Sequence, residues 1–215
     1  LNAGSDMDME SYLYVKHLEN LVGDNKVNLN SIDDATRRIL KVKFELGLFD
    51  DPYKYCDLQR EKEITGSEEI NNAALDIAKK SIVLLKNNNN LLPLKKEGQK
   101  IALIGALASD KTSPLGSWRI AADDNTAISV LEGLNQYPGN TVTFAKGADL
   151  TYGKTEFVTE LKINTTDKSE FKKAKEVARN ADVVVMVLGE HGFQSGEGRS
   201  RTSLELPGVQ QEILA

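Results

Sequence analysis

The strongest constraint on this chain lies near its end. The stretch Ala181-Asp182-Val183-Val184-Val185-Met186-Val187-Leu188 holds an unbroken apolar run between polar flanks. Such a run predicts a strand buried on both faces, as in a parallel sheet. At Gly189 the chain leaves that strand and passes through three more glycines, with Glu190, His191, Glu197, Arg199 and Arg201 among them. Leu206-Pro207-Gly208-Val209-Gln210 then opens a helix. Ligands of open α/β sheets bind in the crevice beyond the carboxyl ends of the strands, which makes 189–201 the candidate site loop. The same residues also fit a solvated loop whose acids pair with Arg199 and Arg201, exposed pairs being worth roughly 0 to 1 kcal/mol.

A second apolar run, Lys100-Ile101-Ala102-Leu103-Ile104-Gly105, predicts another buried strand. Ile128, Val130, Leu131 and Leu134 predict a helix over Thr126–Asn135, stopped by Pro138-Gly139, and Thr141–Gly147 alternates as a strand. Residues 151–168 lack a clear period and read as a loop or insertion. Phe171, Ala174, Val177 and Ala178 give one more helix before Ala181. From residue 68 onward helices alternate with strands, so the expected class is α/β. The sheet should be mostly parallel, flanked by helices and joined by right-handed crossovers. Neither G-x-G-x-x-G nor G-x-x-x-x-G-K-[ST] occurs, so a nucleotide site has no support. Asn164-Thr165-Thr166 fits a glycosylation sequon and is read as a chance match. Trp118 is the single tryptophan, set in Pro114-Leu115-Gly116-Ser117-Trp118-Arg119. A lone tryptophan is more often core. The small residues before it and the arginine after it argue instead for a loop, where an exposed indole can take the apolar face of a sugar ring.

The first seventy residues read differently. Asn2–Met9 has the length of a strand or strand end. Tyr12, Val15, Leu18, Leu21 and Val22 recur at helical spacing up to Gly23. A second helix, N-capped by Asn30 or Ser31, carries Ala35, Ile39, Val42, Leu46 and Leu48 on one face and stops at Gly47 and Pro52. One strand and two helices do not close a core in so few residues, so 1–50 reads as an edge cut from something larger. Residues 51–70, with Pro52 and little periodicity, read as an interdomain linker, and an amphipathic helix begins at Glu68. Asp6 and Asp8, two apart, share a strand face and could serve acid–base chemistry; the structural reading is preferred. Asn87 to Asn90 read as a turn tip.

Bulk properties exclude several classes. A net charge of −5 offers nothing to nucleic acid or an anionic membrane, and no apolar run reaches membrane-spanning length. The single cysteine, Cys56, excludes an internal disulfide and a cysteine-built metal site.

Gly189-Glu190-His191, a short spacer, Glu197, then Ser200-Arg201-Thr202, Leu204-Glu205-Leu206-Pro207 and Gln210 resemble the second domain of family 3 glycoside hydrolases, which include bacterial β-glucosidases. Ala3–Met9 and Ile32–Asp50 resemble the end of that family's (β/α)8 barrel. Ala78–Asn87 followed by Leu91-Leu92-Pro93-Leu94 resembles its entry into the second domain. The resemblance implies a fragment: 1–50 the tail of the barrel, 51–70 a linker, and 71–215 an α/β sandwich domain truncated at its end. It implies a retaining exo-acting β-glycosidase acting on terminal β-linked sugars or aryl glycosides, most of all a β-glucosidase. A β-xylosidase and a non-catalytic carbohydrate-binding α/β module are the alternatives. In that family the barrel supplies a nucleophilic aspartate, here upstream of Leu1, and the second domain supplies the acid/base. The acid/base aligns with Glu197, while Trp118, Arg119, Glu190 and His191 become substrate contacts. No metal or organic cofactor is implied, and the family habit is periplasmic or secreted.

Overall fold

The computed structural model describes residues 1–119, 122–157 and 159–215. The chain divides into two compact units, Leu1–Leu85 and Lys86–Ala215.

The first unit is helical: α1 (Leu13–Gly23), α2 (Leu29–Glu45), α3 (Leu58–Ile64) and α4 (Glu68–Ser81). The Asn28 side chain, not Asn30 or Ser31, caps α2, accepting from the Asn30 amide at 2.8 Å. Asn28 wins because it keeps an extended backbone while its oxygen reaches an otherwise unpaired first-turn amide. Helix α3 falls inside the stretch read as linker, where Asp57 accepts from the amides of Gln59 and Arg60. Helix α4 clusters with this unit. Asn2–Met9 forms no strand, since a strand needs a ladder partner and none pairs with it among the described residues. Its two acids are held locally. Asp6 receives both guanidinium bonds of Arg38, at 2.7 and 2.6 Å, and Asp8 takes the Ser11 hydroxyl and the Tyr14 amide. Val15 and Phe44 are 85 % and 73 % exposed, and Val27 and Ala35 are the buried apolar residues described in this unit. Its amphipathic faces therefore lie open.

The second unit is built on β1 (Glu97–Ile104), which pairs in parallel with β2 (Gly139–Ala145) on one side and β5 (Val183–Met186) on the other. The sheet order is β2-β1-β5. Between these strands come α5 (Val130–Asn135), the short antiparallel pair β3 (Thr151–Tyr152) and β4 (Lys162–Ile163), and α6 (Phe171–Arg179). Helix α7 (Gln210–Leu214) follows β5. The class is α/β, a parallel sheet flanked by helices.

Three local features differ from the sequence reading. Helix α5 starts at Val130, because Ser129 closes a capping box with Glu132 and ends any earlier turn. Strand β5 is not buried on both faces. Among the described residues it pairs on one side alone, with Val184 45 % exposed, and the doubly buried strand is the central β1, whose Ile101 to Ile104 are all buried. Residues 151–168, read as a loop or insertion, contain the β3–β4 pair.

The connections β1-to-β2 and β2-to-β5 run in opposite directions across the sheet. Right-handed crossovers then place α5 and α6 on opposite faces. Ala102, Ile104, Ala145 and Ala174 form the core under α6, joined by Val177 and by Ile213 of α7. The loops after β1 and β5 thus depart toward opposite faces from neighbouring strands. Their shared crevice is the topological switch point, where such folds bind ligands.

Candidate active site

Two loops meet at that switch point. The loop after β1 carries Ser113, Ser117, Trp118 and Arg119; the loop after β5 carries Glu190, His191, Phe193, Glu197, Arg199 and Arg201. The Gly192 amide donates to the Ser113 hydroxyl at 3.0 Å. Four residues on, Gly196 adopts φ +117°, and a Cβ there would stand 2.9 Å from the Ser117 side chain. Only glycine lets the second loop close so near the residue before Trp118. Trp118 and Glu197 therefore share one rim, each next to a contact between the loops.

The base of the second loop is clamped. The Gln210 side chain accepts from the Gly189 amide at 2.8 Å and donates to the Gly189 carbonyl at 2.7 Å and the Pro207 carbonyl at 3.0 Å. Glu190, the next residue, is paired with Arg201 Nε at 2.8 Å. Arg201 also donates to the carbonyls of Ser203 and Glu205 at 3.2 and 2.7 Å. Arg199 donates instead to the carbonyls of Phe157 and Thr159, at 2.6 and 2.7 Å. Glu197 is exposed, with no ion pair or side-chain hydrogen bond among the described residues.

His191 is half-buried. Its Nδ1 accepts from the Phe193 amide at 3.1 Å, so the neutral ring carries its proton on Nε2. Burial holds its pKa below the ordinary histidine value, the Arg119 and Arg199 guanidiniums act in the same direction, and Asp110 opposes them. For Asp110 burial pushes upward. The Ser113 hydroxyl, the amides of Thr112 and Ser113 and the nearby His191 outweigh it, so its carboxyl sits below the usual range. The pair is thus a neutral imidazole beside an ionised aspartate near neutral pH.

Trp118 is 64 % exposed, and its ring lies 6.4 Å from that of Phe157. Phe157 meets Phe193 edge-on at 6.1 Å, and Phe193, only 6 % exposed, lies 5.6 Å from the His191 ring. The loop reading of Trp118 stands and the core alternative falls. Arg119 is less available: it is ion-paired with Asp124 and its guanidinium lies 4.7 Å from the Phe193 ring centre. Phe157 and Phe193 carried no signal in the sequence, since Phe157 lies in the stretch without periodicity and Phe193 in the variable spacer. Alongside the second loop an open depression of about 890 Å³ runs between Phe157, Glu160, Leu161 and Ile163 on one side and Gln194, Glu197 and Ser200 to Ser203 on the other.

Fold and site together define a doubly wound α/β domain whose switch-point crevice presents a carboxylate loop beside an exposed indole. Residues 82–215 match the glycosyl hydrolase family 3 C-terminal domain, and the chain belongs to that family. It is 35 % identical over 226 residues to the periplasmic β-glucosidase of Salmonella typhimurium, covering 100 % of this chain and 29 % of that protein. It is also 35 % identical over 228 residues to a β-xylosidase of Formosa agariphila, covering 100 % of this chain and 30 % of the relative. Among solved structures, β-glucosidase from Listeria innocua in complex with glucose superposes with a TM-score of 0.80 at 32 % identity, over 98 % of this chain and 26 % of that one. A β-glucosidase involved in saponin metabolism from intestinal bacteria gives 0.83 at 29 % identity, over 99 % of this chain and 31 % of that one. The chain thus spans under a third of the length of these relatives.

Proposed function

We propose that this chain is part of a retaining, exo-acting β-glycosidase, most of all a β-glucosidase, that hydrolyses terminal β-linked sugars. Glu197 is its general acid/base. Trp118, Arg119, Glu190 and His191 form the aglycone side. Residues 1–50 are the tail of a barrel domain, 51–70 its connection, and 71–215 the second domain; the nucleophilic aspartate comes from the rest of the barrel. Short coverage of the relatives and the open apolar faces of the first unit support this arrangement. Retaining chemistry needs two carboxyl groups about 5–5.5 Å apart, one nucleophile and one acid/base, and no metal or organic cofactor. A periplasmic or secreted location goes with this reading, supported by the Salmonella relative's name.

One observation carries the assignment. Of the two glutamates in the loop, Glu190 is committed to Arg201, whereas Glu197 stands exposed with both neighbouring arginines engaged elsewhere. A carboxylate held by a guanidinium is not free to turn toward a leaving oxygen. An unpaired one on a glycine-flanked tip can reach a leaving oxygen. A β-xylosidase is the second reading, favoured by the relatives of that name in Formosa agariphila and Arabidopsis thaliana.

The test uses the full-length enzyme carrying this chain. Glu197→Ala should cost roughly 10²- to 10⁴-fold on substrates with poor leaving groups and far less on activated aryl glycosides, with turnover of the latter restored by azide. Equal loss on both substrate types without azide rescue moves the role to Glu190.

A further inference from the structure

The geometry points to a second acceptor-side subsite, walled by Phe157, Glu160, Leu161 and Ile163, that takes the next sugar of a neutral β-linked oligosaccharide beyond the one at Trp118; it rests on the glycosidase reading above. Phe157 belongs to both places. Its ring lies 6.4 Å from that of Trp118, and it also lines the depression of about 890 Å³ beside Glu197. That volume lies within the ~300–1,000 Å³ of small-molecule sites.

The lining suits a saccharide. Phe157, Leu161 and Ile163 offer an apolar wall for ring C–H groups, Glu160 beside them accepts from sugar hydroxyls, and Ser200 and Thr202 offer hydroxyl partners opposite. Charge selects a neutral ligand. Arg199 and Arg201 also border the depression, but their guanidiniums are spent on the carbonyls of Phe157, Thr159, Ser203 and Glu205 and on Glu190. Arg199 keeps its positive charge while bonded to carbonyls, and that of Arg201 is met by Glu190. Against Glu160 and Glu197 the lining therefore carries little net charge and offers neither an anion nor a cation a strong complement.

Arg199 makes the wall and the acid loop one piece. Its two bonds, at 2.6 and 2.7 Å, fix the backbone that carries Phe157 against the loop that carries Glu197. Phe157 is further set by the buried Phe193 ring at 6.1 Å. Arg199 is thus a positioning residue: it sets the separation between the second acceptor sugar and the acid/base carboxyl.

The experiment measures kcat/KM of the full-length enzyme for a neutral β-linked disaccharide and the corresponding trisaccharide, and reads their ratio. Phe157→Ala should lower the trisaccharide-to-disaccharide ratio about two- to tenfold, the range of one aromatic contact. Ser200→Trp, on an exposed position that fills the depression, should lower the same ratio without depending on how the Phe157 variant folds. Arg199→Ala should lower it mainly through trisaccharide KM. A ratio unchanged in both Phe157→Ala and Ser200→Trp overturns the subsite while leaving the glycosidase reading intact. A parent enzyme inactive on every β-glycoside removes that reading, and the subsite with it.

Discussion

Gln210 lies at the start of α7, yet its side chain should matter most to the loop that leaves β5. It makes three hydrogen bonds, two of them to the backbone of Gly189, the residue where the chain turns out of the sheet. Intramolecular hydrogen bonds contribute about 0.5–1.5 kcal/mol each, so removing all three costs about 1.5–4.5 kcal/mol against local opening of the loop base. The Gly189 amide has no other acceptor among the described residues, which makes it the reporter. In Gln210→Ala its hydrogen exchange should accelerate about tenfold or more. Gln210→Met preserves most of the volume and loses the same bonds, so it should match the alanine variant. Gln210→Glu keeps an acceptor for the amide but sets a negative oxygen against the carbonyls of Gly189 and Pro207, and it should protect no better than alanine. Wild-type exchange at Gly189 in both Gln210→Ala and Gln210→Met would show that the clamp contributes nothing, and refute the reasoning.

Other outcomes follow from single sites. Ser129→Ala removes the cap of α5 and should cost about 0.5–2 kcal/mol by chemical denaturation. The Glu132 carboxyl of the same box, held down to about 2 by Lys111 and Ser129, should stay ionised through pH 4 in a carboxyl-resolved NMR titration. His191 has a folded pKa below its unfolded 6.5, so the unfolded chain binds the proton first and the contribution of this group to stability is lost as pH falls below 6.5. His191→Asn should flatten that loss, leaving the Asp110 contribution to disappear only below its unfolded 3.8. Identical pH–stability curves for the two proteins would refute it.

The sequence spoke clearly wherever one local rule decided the outcome. Ile101 to Ile104 had to be a buried strand because four consecutive apolar side chains point to both faces, and they are the sheet's centre. Alternation of helix and strand from residue 68 predicted parallel pairing, which β1, β2 and β5 display. The run at Val183–Met186 is less buried than its composition implies, because among the described residues it pairs on one side alone. Of the candidate site, the glycine-rich loop and Trp118 were legible from chain position. The Arg199 bonds to Phe157 and Thr159 span about forty residues, and no local pattern encodes them. Nor does the sequence say which glutamate Arg201 holds, since Glu190 and Glu197 lie in the same loop and only the turn of the backbone brings one of them to it.

Asn164 shows how a local motif can be read correctly for a reason invisible in the motif. Asn164-Thr165-Thr166 has the form of a glycan acceptor, but Asn164 is 1 % exposed and its side chain is fully engaged. Its amide nitrogen donates to the carbonyls of Asp149 and Asp167 at 2.8 and 3.0 Å. Its oxygen accepts from the amides of Thr166 and Asp167 at 3.1 and 2.8 Å and from the Tyr152 hydroxyl. The backbone of Asn164 is used as well: its carbonyl accepts from the Val209 amide at 3.1 Å. Gly208, at φ +63°, brings the chain so close that a Cβ there would stand 2.2 Å from the same carbonyl. This residue therefore ties the β3–β4 pair to the turn that leads into α7 and its Gln210, and through Gln210 to Gly189. A glycan cannot be attached in the folded protein without extracting the amide and breaking the side chain's bonds. Asn164→Ala should destabilise the protein by about 2–5 kcal/mol, because several buried partners lose their mates at once. Asn164→Asp should be no milder although it keeps shape and size, for it replaces both donors with an oxygen facing two carbonyls. Gly208→Ala should injure the same junction from the other side. Asn164→Asp and Gly208→Ala made together should cost less than the sum of their separate effects. Full additivity of those two substitutions in chemical denaturation, or a glycan found on Asn164 in the folded protein, would show that the junction is not the single unit its hydrogen bonds describe.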